Sequence, residues 1–152
     1  MIWKKLFGKG EDKESAQMLE DAVARAREHI LAQELRAVSF LSGINGADEF
    51  QDDPEKMLAV ELPFMWGWHH AYAKAAGEWP TTPSMRASIQ MTDYLMKHHS
   101  FDFQRARAEA SALDSMWNEA DPLFEAISQR GEESYTKPDE PLLGHVISKV
   151  IE

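Results

Sequence analysis

Six histidines are the first residues of this chain whose spacing suggests chemistry. Four form two adjacent pairs, His69-His70 and His98-His99, with His29 and His145 standing apart. Imidazole nitrogens ligate transition metals and haem iron, so histidines from two helices could grip either. Adjacent helical residues point about 100° apart, and one pair therefore cannot chelate alone. A centre needs His69 or His70 to meet His98 or His99 across a helix contact, with a carboxylate beside them. The Glu-x-x-His pattern of carboxylate-bridged diiron bundles is absent, because Ala26, Trp66, Gly67, Leu95, Met96 and Leu142 stand three residues before the histidines. His-Glu-x-x-His is absent too. The expectation is no metal and no cofactor. His69 then becomes a hydrogen-bonded core residue, while His98 and His99 sit at a helix C-terminus, where cations are favoured.

The segment around the first pair is the richest in aromatics, with Phe64, Trp66, Trp68 and Tyr72, and Trp79 beyond. Such residues line pockets or anchor interfaces, and they also fill a helix buried on two sides. Trp66 falls off both apolar rows of its helix and is the aromatic expected to be least buried. A second concentration lies at residues 45–53, where Asp48, Glu49, Asp52 and Asp53 surround Phe50 without a single base. The calcium order of an EF-hand is not met there. Four acids around a stranded phenylalanine suggest a surface that meets a basic protein, with Phe50 as anchor and charge setting the encounter rate. The expected partner-binding residues are Asp48, Glu49, Phe50, Asp52 and Trp66. Ser134-Tyr135-Thr136-Lys137 fits Ser-x-x-Lys but lacks every companion motif and reads as coincidence. No nucleophile elbow or phosphate-binding glycine loop occurs. Without a catalytic signature, the chain is expected not to be an enzyme.

These residues need elements to position them, and the periodicity is helical throughout. Leu19, Val23, Ala26, Ile30, Ala37 and Leu41 mark a helix over residues 15–41, capped by Asp12 or Ser15 and ended at Gly43. A loop follows over residues 42–53. Asp53-Pro54 opens a second helix with two apolar rows, implying neighbours on two sides, with Pro63 a kink and Gly67 a weak point. Residues 77–80 end it, and Thr82-Pro83 starts a third helix running to about His98. After a cap at Ser100, strict three-four spacing runs from Phe103 to Ile127, either as one helix kinked at Pro122 or as two. Residues 131–141 have loop composition, and residues 142–151 form a short last helix. The expected fold is all-α, a compact antiparallel bundle of five to six helices with that short helix at the C-terminus.

With 152 residues the chain is one domain, residues 1–152, able to bury a proper core. Residues 1–12 form a loosely attached basic segment. Ile2, Trp3, Leu6 and Phe7 share a helical face there opposite Lys4, Lys5 and Lys9, in the manner of a small membrane-surface anchor. Neither a signal peptide nor a spanning segment is present, so the expected location is cytoplasmic with no stable membrane insertion. Cysteine is absent, which removes disulfides, cysteine-ligated zinc and thiol catalysis. Sixteen basic against 26 acidic residues give a net charge of −10, opposing nucleic-acid binding. Acidic helical chains of this kind neutralise or escort other proteins, as bacterial immunity proteins and adaptors do. The expected function is capture of a basic protein partner, a toxin or an effector. The alternative is a small-ligand, haem or metal sensor built on the two histidine pairs and the aromatic helix.

Overall fold

The computed structural model describes residues 12–76 and 82–152, and side chains from residue 16 on. The basic N-terminal segment, the caps at Asp12 and Ser15, and Trp79 lie outside what is described. Every regular element is helical, and there are seven helices among the described residues. They are α1 (Asp12–Phe40), α2 (Ala47–Gln51), α3 (Pro54–Ala75), α4 (Pro83–His98), α5 (Phe103–Asn118), α6 (Pro122–Thr136) and α7 (Leu142–Val150).

Local chemistry sets most boundaries. Asp53 accepts from the backbone N–H of Glu55 and Lys56 at 3.0 and 3.3 Å, with Pro54 as the first residue of α3. Thr82 accepts from Met85 N–H at 3.2 Å ahead of Pro83, and Asp121 from Phe124 N–H at 2.9 Å ahead of Pro122. Each cap satisfies an N–H that the helix itself leaves free. The three-four register past Phe103 is two helices. Ala120 takes a left-handed φ of 55° at the break, with Asp121 N–H bonded to Met116 C=O and Ala120 N–H to Trp117 C=O. That is a Schellman stop with alanine where glycine is usual. The cap of α5 is Asp102, donated to by Arg105 N–H at 2.8 Å, rather than Ser100.

Two segments expected as loops are helical. Within residues 42–53, Ala47–Gln51 forms a short helix that turns Ala47 and Phe50 inward. In residues 131–141, α6 continues to Thr136 because Gly131 serves packing, not a turn. A Cβ built on Gly131 would land on the Phe64 carbonyl oxygen, and one built on Gly67 would land on that of Ser128. The glycines of α3 and α6 thus each admit the other helix's backbone, and no other residue fits. α3 runs unbroken through Pro63 and touches all six other helices. All ten residues from Glu61 to His70 are buried.

α7 lacks a side-chain cap of its own. Gln33 of α1, fully buried, supplies one from a distance. Its carbonyl accepts from Leu143 N–H at 3.1 Å, while its amide donates to the carbonyls of Pro138 and Glu140 at 3.2 and 2.9 Å. One side chain thereby fixes both the turn before α7 and the first turn of α7.

Candidate functional site

His69 and His70 are buried, and His29, His98, His99 and His145 are half-buried. His69 Nδ1 lies 2.7 Å from Gln90 Oε1, as expected of a hydrogen-bonded core histidine. The Tyr94 ring lies against His69, His98 and His99 at 5.5, 5.2 and 5.6 Å, so an aromatic side chain fills the space where the pairs would meet. His70 packs against Trp117 instead, with ring centroids 4.6 Å apart. Among the described residues no group of three or more histidine, aspartate or glutamate side chains is placed to hold a metal ion. Burial lowers His69 to a pKa of about 3, opposed by the Gln90 hydrogen bond. His29, between α1 and α3, is lowered to about 4 by burial and by the charge of Arg36.

His29 Nε2 stands 2.9 Å from Ser134 Oγ, a spacing that a nucleophile and its base would share. The chemistry runs the other way. The Ser134 hydroxyl donates to Gly131 C=O at 2.6 Å, so the ring nitrogen donates to Oγ, and Ser134 is fully buried. The pair ties α1 to α6. It does not activate an oxygen.

A carboxyl pair at the α1–α3 seam escaped the reading of the sequence. Glu61 is 4% exposed, and burial together with a hydrogen bond and repulsion from Glu34 pushes it up to about 9. It is therefore a neutral acid at pH 7, sharing its proton with the Glu34 side chain. The same burial and the two glutamates raise the Tyr94 phenol well above its ordinary range. A signal was present, since Glu61 is the one acid between Met57 and Ala76. Its partner, 27 positions earlier, had none.

On the surface, the expected partner-binding set divides. Asp48 and Glu49 on α2 and Asp52 at its C-cap are exposed, and none forms an ion pair among the described residues. Phe50 and Trp66 are corrections. Phe50 is 7% exposed and belongs to the core, because the helical turn of α2 folds it under. Trp66 is fully buried, because a helix with neighbours all round hides even the residue off both rows.

The exposed apolar side chains lie elsewhere. Leu31, Leu35 and Val38 stand on the outer face of α1 at 53%, 72% and 59% exposure. Their i, i+4, i+7 spacing makes a ridge, a second apolar face on a helix whose first face is core. Glu28 flanks it. At the end of α1 the chain passes exposed Phe40 and Ile44 and enters the acidic turn of Asp48, Glu49 and Asp52. The signal in the sequence was the same double row that marked α3.

The described chain is all-helical, with an exposed apolar ridge on α1. No protein family, no curated protein and no solved structure was found to match it. Among the described residues, no helix is long and apolar enough to cross a membrane.

Proposed function

We propose that the chain is a cytoplasmic protein-binding module, a single helical domain that captures a basic partner as an inhibitor or adaptor does. In this reading it binds and does not catalyse, and it needs no cofactor. The observation that carries the proposal is the ridge of Leu31, Leu35 and Val38, more than half exposed on one helix of a chain whose net charge is −10. Apolar ridges of this spacing fill a groove or lie against a helix of another protein. The acids at Glu28, Asp48, Glu49 and Asp52 select a partner whose rim is Lys- or Arg-rich, and they speed the encounter more than they hold the complex. Self-pairing through this ridge would set like charges against each other on a chain of net charge −10, which favours a different, basic protein.

The test is selective retention from lysate of the source cell by the immobilised chain, compared with Leu35→Asp and with Asp48→Lys/Glu49→Lys. A basic protein retained by the native chain, lost with Leu35→Asp, and bound more slowly and with less salt dependence by the charge variant supports the reading. Retention of nothing, or equal retention by all three, overturns it.

A further inference from the structure

A second apolar surface adjoins the end of the α1 ridge at Phe40 and lies on the outside of α6 and α7. Leu123, Ala126, Ile127 and Arg130 of α6 repeat at i, i+3, i+4, i+7 and face Val146, Lys149 and Val150 of α7 across a cleft of about 520 Å³. Phe40 closes one end, its ring 4.6 Å from His145 and its edge seated over Gly144, where a Cβ would crowd it. Leu123 is 66% exposed and Val150 43% exposed. Two helices with their apolar sides splayed toward one open line form the seat that a third helix takes.

Charge says what kind of helix. The cleft carries Arg130 and Lys149 against Glu152, an excess of one positive charge on a chain of net charge −10. Arg130 pairs with Glu133 at 3.0 Å and Lys149 with Glu152 at 3.9 Å, but these are exposed pairs worth about 0–1 kcal/mol and are readily exchanged. A fatty carboxylate would match the sign. However, a small ligand is held with most of its surface buried, and side chains as exposed as Leu123 and Val150 border an open trough. The chain's own segment of Ile2, Trp3, Leu6 and Phe7 has the apolar spacing, yet Lys4, Lys5 and Lys9 bring the wrong charge.

We infer that the α6–α7 cleft is a docking site for an acidic amphipathic helix of a partner protein, with apolar residues at i, i+3 or i+4, and i+7 flanked by Asp or Glu. The site meets the exposed apolar residues of α1 at Phe40 and selects the opposite charge. A chain with both sites holds two proteins at once, which is the property of an adaptor and not of a simple inhibitor.

The test is selection from a displayed library of amphipathic helical peptides against the full chain, followed by affinity measurement on the enriched sequences. Acidic peptides should be enriched, and Leu123→Ser should weaken them at least tenfold. Arg130→Glu/Lys149→Glu should turn the selection toward basic peptides. The altered side chains are exposed, and an unchanged far-ultraviolet spectrum verifies that the variants fold. Leu35→Asp should leave these peptides unaffected, so that failure of the ridge and failure of the cleft are told apart. Enrichment of basic or neutral peptides, indifference to Leu123→Ser, or binding of dodecanoate with no peptide enriched would overturn the inference. The last result would give the cleft to lipid.

Discussion

α1 and α3 are built on the same plan and end in opposite environments. Each carries two apolar rows, and each inner row packs into the core. α3 has a neighbour on every side, so its second row is sealed, and so is Trp66 off both rows. α1 has neighbours on one side only, so Leu31, Leu35 and Val38 face outward. The same pattern of residues thus serves the fold in one helix and is free for recognition in the other. What decides between them is the number of elements that reach each face, a tertiary property.

The sharpest way to break this comparison is to disturb each helix on its second face. Gly131→Ala or Gly67→Ala places a methyl on the facing backbone carbonyl, where neither side can yield locally. Each should cost about 3 kcal/mol in equilibrium denaturation. Leu35→Ser on α1 should stay within about 0.5 kcal/mol of the native chain. Equal costs at the two sites would show that α1's ridge is part of the fold.

The inner face of α1 should be next in effect. Gln33→Leu removes three hydrogen bonds and leaves the Leu143 N–H buried without an acceptor. We expect a loss of about 2 kcal/mol, with faster amide exchange confined to α7 and the turn before it. Exchange rising evenly over the chain would assign Gln33 a lesser role.

The seam between the two helices should make stability depend on pH in both directions. In the unfolded chain His29 and His69 take up protons below about 6.5, whereas in the fold they stay neutral down to about 4 and about 3. Acidification therefore favours the unfolded chain, and their contribution is lost as pH falls from 6.5. Glu61 works the other way. Folded, it keeps a proton up to about 9 that the unfolded chain releases above 4.5, so stability falls as pH rises through that window. From 4.5 to 6.5 the protons of His29, His69 and His99, the last also held down to about 4, outweigh one from Glu61; above 6.5 Glu61 acts alone, at about 1 kcal/mol per pH unit. Stability should peak near pH 6.5, and Glu61→Gln should flatten the alkaline limb. A limb that stays steep in that variant would place the titrating group elsewhere.

The smallest expected effect lies outside both helices. Ala120→Gly relieves a left-handed φ in an exposed helix stop and should stabilise by about 1 kcal/mol or less, read as a raised melting temperature. No gain would mean that the break between α5 and α6 is held by Asp121 and Pro122 alone.

The long helices and most of their starts were legible in the sequence, because Asp53-Pro54, Thr82-Pro83 and Pro122 carry their signal within a few residues. Gly131 was misleading for a physical reason. Glycine marks a turn when its φ is positive and a close approach when another backbone crosses it, and only the partner, Phe64, tells the two apart. The candidate site was half legible. The acids of α2 are on the surface as their composition implied, but Phe50 is drawn in by a turn too short to show periodicity. Leu31, Leu35 and Val38 were passed over because an apolar row is read as core until its neighbours are counted. Glu34 and Glu61 meet only through the packing of α1 on α3.

Oxidative footprinting of the full chain, free and saturated with the partner it retains, tests the central claim most directly. The account predicts that Leu31, Leu35 and Val38 lose most of their labelling in the complex while exposed Met85 on α4 keeps its own. Unchanged labelling of the three α1 residues in a saturated complex would contradict it.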